Sequence, residues 1–136
     1  MPLDEALDAL DGPGTIDVPT DGGRAEVDVA EVDRLGVRVR RVKVERERRD
    51  IAEEAHALPD RLRALPDRVA PSEVSPELGG AILRTVPEEV RDRYFEVDVR
   101  PGHTEVRRVR VDEGERSSDD FVLTREQLEK LVDELG

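Results

Sequence analysis

The chain has 136 residues, 34 acidic against 22 basic, for a formal net charge of −12. That balance argues against general nucleic-acid binding, which needs phosphates neutralised by Lys and Arg, and the aromatics Tyr94, Phe95 and Phe121 are too few for single-strand stacking platforms. The absence of Cys excludes disulfides, thiolate metal sites, Fe–S clusters and Cys nucleophiles.

Charged residues make up 41% of the chain, against about 25% in an ordinary domain. Leu, Ile, Val and Phe still exceed the roughly 20% below which a chain reads as disordered. One folded domain over 1–136 is expected. Met1-Pro2-Leu3-Asp4-Glu5 carries acids where a signal peptide needs base, and no apolar run approaches the ~18–20 residues of a membrane span. The expectation is a soluble, cytoplasmic protein with no membrane partner. Arg outnumbers Lys by 20 to 2; a GC-rich genome and adaptation to heat or salt both give that ratio.

In chain order, Leu3, Ala6, Leu7 and Leu10 form one stripe of a short helix, ended by Gly12-Pro13-Gly14. Ile16 and Val18, then Ala25, Val27 and Val29, alternate around Asp21-Gly22-Gly23 as a hairpin. Asp33-Arg34-Leu35-Gly36 is a second turn, and Val37, Val39, Val42 and Val44 make a longer strand. Asp50 with Glu53 starts a helix with Ile51, Ala55 and Leu58 on its apolar face. Ala57-Leu58-Pro59-Asp60-Arg61 recurs as Ala64-Leu65-Pro66-Asp67-Arg68, too short an echo for a repeat architecture. Four prolines and Gly79-Gly80 mark 66–87 as an irregular, mobile connection. Thr85, Glu88 and Pro87 suggest a short helix through about residue 92. Phe95, Val97 and Val99, a Pro101-Gly102-His103 turn, and Val106, Val109 and Val111 read as two more strands. Phe121 and Leu123 close the sheet or lead into the last helix. There Thr124 and Gln127 fit a capping box, and Leu128, Leu131, Val132 and Leu135 form its stripe.

Val39-Arg40-Arg41-Val42-Lys43-Val44-Glu45 resembles Val106-Arg107-Arg108-Val109-Arg110-Val111-Asp112, and each follows an acidic strand. Two hairpin-plus-helix units related by duplication would produce that pattern. The valine alternation slips by one residue at each Arg pair, which predicts β-bulges at Arg40-Arg41 and Arg107-Arg108.

Residues 34–49 hold Arg34, Arg38, Arg40, Arg41, Lys43, Arg46, Arg48 and Arg49 against Glu45 and Glu47, a cationic strip that suits a phosphate or an acidic partner; the candidate partner-binding residues are the two arginine pairs, Arg40, Arg41, Arg107 and Arg108. The competing account is a solvated sheet face, with Glu26 and Asp28 opposing the first Arg strand, and Glu96 and Asp98 opposing Arg107 and Arg110. Asp112–Asp120 lacks the ligand spacing of a calcium loop and reads as a solvated, flexible loop. His56 and His103 are in no metal-ligand spacing, and Asp50, His56 and Ser72 make no triad signature. Glu53-Glu54 and Glu88-Glu89 are helix-start acids, since neighbours on a helix point about 100° apart. No catalytic residue, cofactor or metal site is assigned. The Leu stripes of the terminal helices cover the sheet or meet a partner.

The fold expected is α+β: one antiparallel sheet of four to six strands with helices packed on one face, in the order α-β-β-β-α-(irregular)-α-β-β-α. Size, acidity and element order resemble those of the type III secretion chaperones in bulk properties, with no shared motif. The resemblance implies a homodimer that wraps an unfolded client segment; the scarcity of aromatics and the Pro-rich centre depart from it. The functional expectation is a non-enzymatic, chaperone-like binding or adaptor protein that contacts another protein or a second copy of itself. The alternatives are a small enzyme acting on an anionic substrate through Arg and a carboxylate, and a structural subunit of a homo-oligomer.

Overall fold

The structure, a computed structural model, describes residues 2–85 and 92–136. Its elements are α1 (Pro2–Asp8), β1 (Gly14–Thr20), β2 (Gly23–Val32), β3 (Val37–Glu45), α2 (Ile51–Arg61), β4 (Val69–Ser75), a 3-10 turn (Pro76–Leu78), β5 (Gly80–Thr85), β6 (Arg93–Arg100), β7 (His103–Asp112), β8 (Glu115–Asp119), β9 (Phe121–Leu123) and α3 (Arg125–Leu135). No helix among the described residues is long and apolar enough to cross a membrane.

The sheet runs β1-β2-β3-β7-β6-β5-β4, with β8 on β7 and β9 on β3, all neighbours antiparallel. Nine strands and three helices among the described residues correct the expected sheet of four to six strands with helices on one face. Two segments account for most of the difference. The span 66–87 was expected to be irregular, yet β4 and β5 lie in it as a hairpin closed by Gly79 in the left-handed region (φ 77°). Its Pro71 is tolerated because β4 ends the sheet path, and the ladder shifts register between Pro71 and Glu73. The supposed loop 112–120 is the end of β7, a turn at Glu113-Gly114 and β8. Strand β8, Glu-Arg-Ser-Ser-Asp, has no apolar alternation to announce it. The helix expected from Thr85, Pro87 and Glu88 lies outside the described residues, except that Thr85 ends β5 and its hydroxyl accepts from Phe95 N at 2.8 Å.

Cross-strand pairs set which face is dry. Val27 pairs Val42, Val42 pairs Val106, Val106 pairs Val97, and Val97 pairs Leu83, so one row of apolar side chains crosses five strands. These residues and the stripes of all three helices (Leu3 and Leu7; Ile51, Ala55 and Leu58; Leu128, Leu131 and Leu135) belong to one hydrophobic cluster. Helix α2 starts on Asp50, whose carboxylate accepts from Glu53 N. Helix α3 starts on the capping box, Gln127 N to Thr124 Oγ1 at 3.0 Å and Thr124 N to Gln127 Oε1 at 2.9 Å.

A three-stranded meander, β1-β2-β3, and a four-stranded one, β4-β5-β6-β7, meet antiparallel along Val42–Glu45 of β3 and His103–Val106 of β7. Beyond that seam the two strands part. Strand β9 then pairs Val37–Val39 of β3, and β8 pairs Arg108–Asp112 of β7. The β2–β3 register passes from Asp28↔Arg41 to Val29↔Val39 and leaves Arg40 unmatched, the bulge expected there. The second expected bulge is absent: Glu96↔Arg107 and Phe95↔Arg108 run on without a break. What the valine slip records on β7 is a change of partner, from β3 to β8. Val109 falls on the opposite face from Val106 and is buried there.

Candidate functional site

The four candidate arginines flank the place where β3 and β7 part, and acidic groups of this chain meet each of them. Arg40, at the bulge, has Nε 3.9 Å from Asp120 Oδ1. Arg41 lies between Glu26 (2.7 Å) and Asp28 (3.2 Å), with Glu105 at 3.9 Å. Arg107 bonds Glu96 at 2.9 Å. Arg108 faces the other way, pairs Asp119 at 2.9 Å, donates to the Asp120 carbonyl, and stands over the Phe95 ring at 6.0 Å. They do not converge on one cleft. The expected partners of β7 are corrected in part: Glu96 opposes Arg107, but Asp98 opposes Glu105, and Arg110 opposes Arg93.

What does converge is a ring of three guanidiniums around each of two buried glutamates. Glu54, on α2, is met by Arg49 Nη1 (2.6 Å), Arg61 Nη2 (2.5 Å) and Arg46 Nε (3.5 Å). Arg46 also donates to the Pro101 carbonyl and Thr104 Oγ1, each at 2.8 Å. Arg49 reaches the Gly136 main-chain oxygen (2.6 Å), and Arg61 reaches the Glu134 carbonyl (2.7 Å). These are acceptors at the end of α3, so this ring ties α2, α3 and the β6–β7 turn together. Burial pushes the Glu54 carboxyl up, but hydrogen bonds and charge from Arg49 and Arg61 outweigh it and leave its pKa below the usual glutamate value.

The second ring lies on the face of the sheet opposite the row of Val27, Val42, Val106 and Val97. Glu96 accepts from Arg107 Nη2 (2.9 Å), Arg116 Nη2 (2.8 Å) and Arg84 Nε (3.2 Å). Each comes from a different strand: β5 carries Arg84, β7 Arg107 and β8 Arg116, around Glu96 on β6. The Tyr94 ring sits near both Arg116 (5.5 Å) and Arg84 (6.0 Å). Ile82, Val109, Ser117 and Ser118 complete the lining of an open cavity of about 410 Å³. Burial raises the Glu96 pKa, but Arg107 and Arg84 more than offset that and bring it below the usual value. Reciprocally, the hydrogen bond to Glu96 raises the Arg107 pKa above its ordinary value.

Sequence reasoning named Arg107 and placed Glu96 opposite it, but missed Arg84 and Arg116, which fell in the segments read as irregular and as a loop. It also missed the Glu54 ring. A signal was present: Glu54 is three residues after Ile51 and four before Leu58, within the apolar stripe of its helix. Among the described residues no three His, Cys, Asp or Glu side chains are grouped to hold a metal ion. Comparison with protein-family models, with curated proteins and with solved structures gives no match to this chain.

Proposed function

We propose that this chain is a non-enzymatic binding or adaptor protein that acts by contact with another protein, and that the ring around Glu96 is its point of contact. One observation carries the reading: three guanidiniums share one carboxylate at an open concavity, Arg107 and Arg116 being about half exposed there. Among the described residues lining that cavity, positive charge exceeds negative by two in a chain whose total is −12. Such a site offers charge and donors at short range, where ionic screening is weakest.

The enzymatic alternative has the concave site with both signs of charge that it needs. Its difficulty is chemical. A general base works best with a pKa near the working pH, and the arginines hold Glu96 the other way, below the ordinary glutamate value. Guanidiniums stay protonated throughout.

The test is a pull-down with the intact protein beside its Arg107→Gln and Arg116→Gln variants, together with a metabolite turnover screen. The expected result is a partner retained by the parent chain and lost by both variants, with no turnover. A turnover that either substitution abolishes, or capture that neither changes, overturns the proposal.

A further inference from the structure

We infer that the Glu96 ring is a receptor for a single oxyanion, a carboxylate or phosphoryl group carried by the partner, seated against Arg84, Arg107 and Arg116. This rests on the binding reading above and specifies its chemistry.

The donors are already aimed. Arg84 gives Glu96 its Nε, while Arg107 and Arg116 each give one Nη2. Among the described residues, Arg84 Nη1 and Nη2, Arg107 Nε and Nη1, and Arg116 Nε and Nη1 make no hydrogen bond to the protein. Among the described residues nothing takes the Nη1–Nη2 edge of Arg84, an edge that binds a carboxylate or phosphate through two parallel bonds. Glu96 is 4% exposed and acts as the fixed centre from which the three guanidiniums radiate. Tyr94 backs two of them, so less side-chain freedom is lost when a ligand arrives. Val109 and Ile82 put apolar surface beside the charges, which lowers the local dielectric and strengthens each contact. Ser118, paired with Val109 and so on the same face, adds a neutral hydroxyl donor at the cavity.

Charge favours the same class. The ring carries a surplus of two positive charges, and a phosphoryl group carries about −1.5 to −2 at pH 7. A carboxylate on an acidic segment carries one negative charge and offsets part of that surplus. The Glu54 ring has the same arithmetic but spends its donors inward, on the Gly136, Glu134 and Pro101 carbonyls, so it serves as a structural clamp.

The experiment follows the arginine Nε–H resonances of the intact protein by NMR at constant ionic strength. One arm adds inorganic phosphate and the other a triglutamate peptide. Saturable shifts of the Arg84, Arg107 and Arg116 signals are expected in at least one arm, with Arg125 unmoved. Affinity should fall tenfold or more in Arg107→Gln and, separately, in Arg116→Gln, with thermal unfolding recorded for each. A response to phosphate alone assigns a phosphoryl ligand, to triglutamate alone an acidic segment, and to both a general oxyanion site. No saturable shift, or shifts that both substitutions leave unchanged, overturns the inference. If the probes fail while partner capture still depends on Arg107 and Arg116, the ligand class is wrong and the binding reading stands. If the probes bind but capture is insensitive, the binding reading falls instead.

Discussion

Arg46, the residue after β3, and Glu54 on α2 form an ion pair sealed from water: Nε and the carboxylate are 3.5 Å apart, with the side chains 1% and 2% exposed. Charges this deep are expensive to desolvate, and removing one partner leaves the other stranded. Glu54→Gln should therefore cost about 3–5 kcal/mol, read as a fall in the urea midpoint at unchanged slope. A loss below about 1 kcal/mol would mean that the cluster relaxes or hydrates freely.

Acid should act in two stages. Burial and the nearby Lys43 lower the His103 pKa in the folded chain, so protonation favours the unfolded state. Stability from this group is present above the unfolded value of about 6.5 and falls as pH drops through it. Glu54 and Glu96 are also held below their ordinary values, so their contribution is complete above about 4.3 and lost at lower pH. A thermal midpoint flat from pH 8 to 7, a shallow decline near pH 6 and a steep one below pH 4.5 are the expected profile. His103→Gln should remove the shallow part alone.

Gly23 opens β2 against the end of β3, and a Cβ there would overlap the Glu45 carbonyl. The obstacle is backbone, so nothing can rotate aside. Gly23→Ala should destabilise by about 1–3 kcal/mol. At Gly22 a Cβ meets nothing within 4 Å, and Gly22→Ala should stay within about 0.5 kcal/mol of the parent. Equal effects at both positions in chemical denaturation would contradict the register drawn here.

Phe121 anchors the three-residue β9: it is 1% exposed and meets Phe95 edge-on, centroids 5.1 Å apart at 87°. Phe121→Ala should cost about 3–5 kcal/mol. Phe121→Leu keeps much of the volume and should cost distinctly less. If the two are indistinguishable by calorimetry, the pocket is not packed around an aromatic ring.

The helices were the most legible elements because their signals are local. Thr124 and Gln127 cap α3, and Leu128, Leu131 and Leu135 face the core, as spacing alone indicates. Strands β1 to β3 were legible through alternating valines, and so were the acidic neighbours of Arg41. Strand β4 was hidden by Pro71, a residue that disqualifies a central strand but not one at an edge. Strand β8 was hidden because its side chains are polar and largely exposed. The Glu96 ring needed that missing information: Arg84 and Arg116 reach Glu96 only once β5 and β8 are paired into the sheet.

The seam between β3 and β7 has a kinetic consequence. Each meander is assembled from segments adjacent in sequence, whereas joining Val42 to Val106 closes a loop of about sixty residues and carries the larger entropic penalty. The halves are therefore expected to form first and their union last. Val42 and Val106 also pair within their own meanders, with Val27 and Val97, so truncating either should slow refolding as well as speed unfolding, a pattern that stopped-flow measurements on the two variants resolve directly.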